Sequence, residues 1–128
     1  MRLLLDTHAF LWFAGGSPRL SERAKSAIEA ESNDILVSVA SLWEIAVKTS
    51  LGKMKLASSF DDVISEAISV TAAKVLPIGL SELVVVATLP FHHRDPFDRL
   101  LVAQAQVERL TIVSVDDLLD DYGIQRIW

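Results

Sequence analysis

Leu3-Leu4-Leu5-Asp6-Thr7-His8 runs three leucines into a carboxylate near the start of the chain. A strand with one wet face alternates apolar and polar residues. An unbroken apolar run is the pattern of a parallel strand buried on both faces. Residues 7–14 then look helical and halt at Gly15-Gly16, where a left-handed turn is easy. Strand, acid and helix in that order make the first unit of an α/β domain.

The rest of the chain repeats the alternation. Residues 35–37 and the β-branched run 111–115 read as strands, 124–128 as a last strand, and 75–78 as a short one whose Pro77 suits an edge. Ser21 can cap a polar helix over 21–31. Val39, Leu42, Trp43, Ala46 and Val47 follow i, i+3, i+4 spacing, which predicts an amphipathic helix over 39–51 ended by Gly52. Ser59 starts a helix to about residue 70, and 81–88 is another, stopped by Pro90. Asp95-Pro96 reads as an N-cap followed by proline at the first helical position, with the helix running to about Arg109. Asp116 opens a short helix ending near Gly123. Such alternation implies a mostly parallel sheet with right-handed crossovers. No repeat or linker interrupts it, and 128 residues fit one domain, 1–128.

Composition narrows the class. With 51% hydrophobic residues, a chain of this size can bury a core without covalent staples. The absence of cysteine excludes disulfides and thiolate metal sites, and a reducing cytosol is the expectation. The N-terminal apolar run is too short for a signal peptide or a membrane span, so a soluble protein is expected. A net charge of −5 counts against a simple electrostatic nucleic-acid binder. It does not count against a protein whose carboxylates hold divalent cations, because such a chain is formally acidic until the metals are included.

Four acids occupy positions that a parallel sheet would bring together. Asp6 ends the first strand, Asp116 follows the 111–115 strand, Asp98 lies in the first turn of the helix before that strand, and Glu44 sits on the helix after the second strand. Ligands of open parallel sheets bind outside the carboxyl ends of the strands. Clustered carboxylates repel and raise one another's pKa values, and a divalent cation relieves this. Mg²⁺ and Mn²⁺ favour such oxygen ligands. An ion of this kind activates water and stabilises a leaving oxygen, and a second ion can share the work. The pattern therefore points to phosphodiester chemistry.

Each acid also has an ordinary explanation. Asp6 can cap the helix starting at Thr7. Glu44 completes a Ser41-x-x-Glu44 capping box and can pair with Lys48. Asp95 fits an N-cap, and the helix dipole welcomes Asp98. Asp116 competes with Asp117, while Asp120 and Asp121 look like a solvated face. The joint pattern carries the argument. His8, His92 and His93 read as lying outside the metal site, since adjacent histidines do not easily share one ion and no His-x-x-x-His pair occurs. Trp12, Phe13 and Trp43 read as core or interface residues. Lys48, Lys53, Lys55, Arg94 and Arg99 could supply phosphate contacts. His93-Arg94-Asp95 mimics a kinase catalytic loop, but Leu100 stands where asparagine is required and no Gly-rich loop is present. A phosphoacceptor receiver domain would need paired acids near the first strand and a lysine after the last core strand. Asp6-Thr7-His8 and Ser114-Val115-Asp116 do not supply these.

Together, Leu3-Leu4-Leu5-Asp6-Thr7-His8, Ser41-Leu42-Trp43-Glu44-Ile45, His93-Arg94-Asp95-Pro96-Phe97-Asp98-Arg99 and Val113-Ser114-Val115-Asp116 resemble the PIN-domain family. More narrowly they resemble VapC-type toxin nucleases of type II toxin–antitoxin pairs. The resemblance spans nearly the whole chain, and Asp-Pro-Phe-Asp-Arg followed by residues 100–105 is its most specific piece. It implies a three-layer α/β/α fold around a mostly parallel sheet of four to five strands. It also implies a cytoplasmic endoribonuclease dependent on one or two Mg²⁺ or Mn²⁺ ions, homodimerisation and inhibition by a cognate antitoxin. Asp6, Glu44 and Asp98 match the three near-constant acids, Asp116 the more variable fourth, and Asp95 an additional acid. Thr7 and Ser114 match hydroxyl positions beside the metal site, and Arg99 the arginine after the third acid. The competing expectation is a catalytically inert PIN-like module that binds RNA or an antitoxin.

Overall fold

The computed structural model describes residues 1–128. Its five strands form one sheet in the order β3-β2-β1-β4-β5, and every neighbouring pair is parallel. β1 (Arg2–Leu5) is central. β2 (Asp34–Ser38) and β3 (Lys74–Leu76) lie to one side, and β4 (Thr111–Val113) and β5 (Arg126–Ile127) to the other.

The leucine triplet behaves as its pattern requires, because successive strand side chains point to opposite faces. Leu3 and Leu5 pack with Phe10, Ile28, Val37 and Ile64, beneath α1 (Thr7–Ala14), α2 (Glu22–Glu29) and α4 (Phe60–Thr71). Leu4 packs on the other face with Leu36, Leu101, Ile112 and Leu119, beneath α5 (Leu80–Ala87) and α6 (Pro96–Glu108). α3 (Val39–Ser50) contributes Ala40 to one core and Ile45 to the other. Helices thus cover both faces of the sheet.

Several boundaries differ from the sequence reading, each for a local reason. The Ser41-x-x-Glu44 capping box does not form. α3 leaves β2 directly, and Ser38 caps it by accepting the Ala40 N–H at 3.0 Å. Ser41 is therefore already helical and Glu44 is free for other work. The 111–115 strand stops at Val113, because Ser114 Oγ accepts the Asp116 N–H at 3.1 Å and turns the chain. The 124–128 strand shrinks to two residues. The 81–88 helix begins at Leu80, where Glu82 takes the Gly79 N–H at 3.0 Å. β3 ends before Pro77 and lies at the sheet edge, as expected. No helix is long and apolar enough to cross a membrane.

The strand order sets the location of the site. β1, β2 and β3 step in one direction, after which β4 returns to the other side of β1. The crevice at the carboxyl ends of β1 and β4 is the switch point at which ligands of open α/β sheets bind.

Candidate active site

A cavity of about 400 Å³ at this switch point is lined by the carboxylates of Asp6, Glu44, Asp95, Asp98, Asp116 and Asp117, with Lys48 its only lysine or arginine. The four acids singled out from the sequence, and Asp95, thus meet in one place. Each arrives on a different support. Asp6 follows β1, Glu44 rides on α3, Asp95 and Asp98 start α6, and Asp116 follows β4.

The capping and functional readings of the aspartates prove compatible. Asp6 Oδ1 accepts the Ala9 N–H at 2.8 Å, Asp95 Oδ1 accepts from Phe97 and Asp98 at 2.8 and 3.1 Å, and Asp116 Oδ1 accepts from Leu118 at 3.0 Å. A cap occupies one carboxylate oxygen in each case. Asp116, rather than Asp117, points its second oxygen at a neighbour across the site. Glu44 is buried and doubly held. Thr7 donates to its Oε1 at 2.5 Å and Lys48 to its Oε2 at 2.6 Å. That bond with Glu44 is also the main reason the Lys48 pKa is raised. Ser114, fully buried, links the two strand-end acids, for it accepts the Asp116 N–H and its hydroxyl favours the charged form of Asp6.

Burial and crowding together disfavour the charged carboxylates. Burial is the main cause that pushes the Asp98 carboxyl up to about 7, with Asp95, Asp6 and Glu44 adding to it and His93 opposing it. Asp6 is raised too, chiefly by burial, against the Ser114 and Ala9 hydrogen bonds. Desolvation and like charge both disfavour the ionised carboxylate. Carboxylates under this pressure, with no sulfur among them, form a donor set suited to a hard divalent cation.

One residue that the sequence reading set apart from the acids lies against them. His93 Nε2 lies 2.6 Å from Asp116 Oδ2 and 3.3 Å from Asp98 Oδ2, and the ligand atoms of these three residues all fall within 4.8 Å of one another. The two adjacent histidines diverge, and only the ring of His93 turns inward. His92 stays exposed against Tyr122. The usable signal was the position of His93 two residues before the α6 cap, where its ring can reach the cap's own N–H.

The structure also places the basic residues and Trp43. Arg99 is not a phosphate contact. It is buried, donates to the carbonyls of Pro90 and Leu89 at 2.9 and 3.0 Å, and stacks on Phe91 at 3.8 Å. Weaker bonds reach Val86, His93 and the Tyr122 hydroxyl. Arg99 therefore supports the 86–93 segment that delivers His93. Nor do Lys53, Lys55 and Arg94 line the cavity. Trp43 is not core. It is 57% exposed, with its ring edge-on to Phe97 at 5.2 Å. Helical spacing placed it on the apolar stripe, but α3 turns that part of the stripe outward.

The PIN domain family model matches residues 3–125, and the chain belongs to that family. Solved structures share the fold at low identity. The structure of VapBC2 from Rickettsia felis, bound to a DNA fragment from their promoter, is similar at TM-score 0.74 and 15% identity, covering 98% of this chain and 97% of that one. VapBC-1 from nontypeable Haemophilus influenzae is similar at 0.69 and 12%, covering 98% and 96%. FitAcB from Neisseria gonorrhoeae is similar at 0.64 and 18%, covering 97% and 95%. No curated protein sequence matches the chain.

Proposed function

We propose that this protein is a metal-dependent endoribonuclease acting as the toxin of a toxin–antitoxin pair. The observation that carries the reading is the convergence of Asp6, Glu44, Asp95, Asp98 and Asp116 on one cavity at the switch point, with Asp98 held near neutral pKa. Asp6, Asp98 and Asp116 hold one or two ions, Mg²⁺ or Mn²⁺, with Glu44 as a further ligand or water-orienting base and Asp95 as an additional acid. When bound, such an ion supplies an activated water and charge stabilisation for the leaving oxygen. Thr7 and Lys48 fix the Glu44 carboxylate, and Ser114 keeps Asp6 and Asp116 in register. Local cations are few, so RNA phosphates must be attracted chiefly by the bound metal.

The antitoxin partner is supported by the named VapBC complexes and by an apolar groove between α1 and α4. That groove is lined by Leu11, Trp12, Met54, Leu56, Val63 and Ala67 and suits an amphipathic segment. A homodimer is supported by the exposed Leu80, Leu83 and Val84 on α5. A cytoplasmic location is supported by the cysteine-free composition.

The test is incubation of total cellular RNA with purified, antitoxin-free protein and Mg²⁺ or Mn²⁺. Discrete fragments are expected, and EDTA should abolish them. Asp6→Asn should lose cleavage by on the order of a hundredfold or more while keeping its fold, because asparagine caps a helix as well as aspartate does. Absence of cleavage by the folded, metal-bound parent would favour the inert binding module instead. Cleavage at the parent rate by Asp6→Asn would refute the site.

A further inference from the structure

The ring of His93 is held at both nitrogens. Its Nδ1 accepts the backbone N–H of Asp95 at 3.0 Å, and its Nε2 faces Asp116 Oδ2 at 2.6 Å and Asp98 Oδ2 at 3.3 Å. A backbone N–H only donates, so Nδ1 must present its lone pair. The ring proton therefore sits on Nε2, where two carboxylate oxygens wait to accept it. A doubly protonated ring would set an Nδ1–H against the Asp95 N–H.

The mounting of the ring is equally defined. The His93 N–H donates to the Tyr122 hydroxyl at 2.9 Å, and that hydroxyl donates to the Pro90 carbonyl at 2.7 Å. Arg99 holds the same segment from below through the Leu89 and Pro90 carbonyls. The side chain is 12% exposed. Nitrogen tautomers are set by the bond the other nitrogen makes, and here that bond comes from the backbone of the α6 cap.

An Nε2 that carries a proton has no lone pair to give a cation. We infer that His93 is a positioning residue and not a metal ligand: its Nε2–H holds the Asp116 carboxylate, and secondarily that of Asp98, in place on the cavity wall. This rests on reading the acid cavity as a divalent-cation site. It leaves that site with oxygen ligands alone, a set that suits Mg²⁺ or Mn²⁺ and removes the imidazole that would favour zinc.

Nitrogen-15 NMR of the metal-free protein tests the tautomer without any substitution. The expected spectrum has Nδ1 unprotonated and Nε2 protonated. A proton on Nδ1 would overturn the inference. Binding of Mn²⁺, followed by electron paramagnetic resonance, tests the role. No directly bound nitrogen should be seen in the spin-echo modulation of the parent chain. His93→Ala should weaken Mn²⁺ binding by about 10- to 100-fold, the usual cost of losing a partner that orients a ligand. His93→Gln, which retains an N–H donor, should recover part of this. A bound-nitrogen signal that vanishes in His93→Ala would make His93 a ligand, and unchanged affinity would leave it no role at the metal. Either result leaves the proposed function standing. A parent chain that binds no Mn²⁺ would remove both.

Discussion

Asp98→Asn is expected to eliminate RNA cleavage, by about a thousandfold or more, yet to make the metal-free protein more stable at pH 8. The first effect follows from removing an anionic ligand whose contribution to transition-state charge stabilisation is worth several kcal/mol, at about 1.4 kcal/mol per decade of rate. The second follows from the direction of the Asp98 shift. Its carboxyl titrates near 3.8 when unfolded and at about 7 when folded, so the folded state holds the proton more tightly. A raised acid contributes stability that is fully present below the unfolded pKa and lost as pH rises through the folded one.

The metal-free parent should therefore weaken between about pH 4 and pH 7, and the asparagine variant should weaken less, since only the raised Asp6 carboxyl remains to titrate there. Shifts of this size correspond to roughly 2–4 kcal/mol, or on the order of 10 °C in melting temperature. At pH 4 the difference should disappear. Adding Mg²⁺ should raise the melting temperature of the parent at pH 8 and leave that of the variant nearly unchanged. Thermal melts at the two pH values, with and without metal, separate these outcomes. A variant less stable than the metal-free parent at pH 8 would mean that Asp98 is under no electrostatic pressure.

Arg99→Ala should be the most damaging single truncation for the fold, costing about 3–5 kcal/mol. The guanidinium is buried, no carboxylate pairs with it, and its donors are spent on main-chain carbonyls. Hydrogen bonds from a charged donor are worth about 1.5–3 kcal/mol each, and their loss strands acceptors that have little water to replace them. Arg99→Lys should rescue little, because an ammonium cannot reproduce a planar fork that bonds several carbonyls while stacking on Phe91. Urea denaturation gives the midpoint for each variant. If Arg99→Lys unfolded at the parent midpoint, the fork geometry would be irrelevant. Activity should fall further than stability alone explains, since the segment held by Arg99 is the one that presents His93.

Much of the architecture was legible in the chain because period and punctuation are local properties. Residues 3–5 announced a strand with two dry faces, and the all-parallel sheet bears this out. Ser21, Ser59 and Asp95 cap the helices expected of them, because a cap needs only its own residue and the next three. The failures were equally physical. Nothing local told Ser38 from Ser41 as the cap of α3, since that depends on how early β2 releases the chain. The short β4 was hidden because β-branched Val115 continues the strand pattern after the Ser114 hydroxyl has already turned the backbone.

Sequence alone determined the residue types at the site. Asp6, Asp98 and Asp116 could be named because each sits where a strand ends or a helix begins, and Glu44 because it lies on the helix that leaves the second strand; parallel topology collects such points at one edge. What only the tertiary structure decided was the direction of the side chains around them. Arg99 turns under a loop, away from the cavity, while Trp43 faces solvent and His93 turns in between two carboxylates. Those directions rest on hydrogen bonds between residues far apart in the chain, such as Tyr122 to His93, and no local pattern encodes a partner 29 residues away.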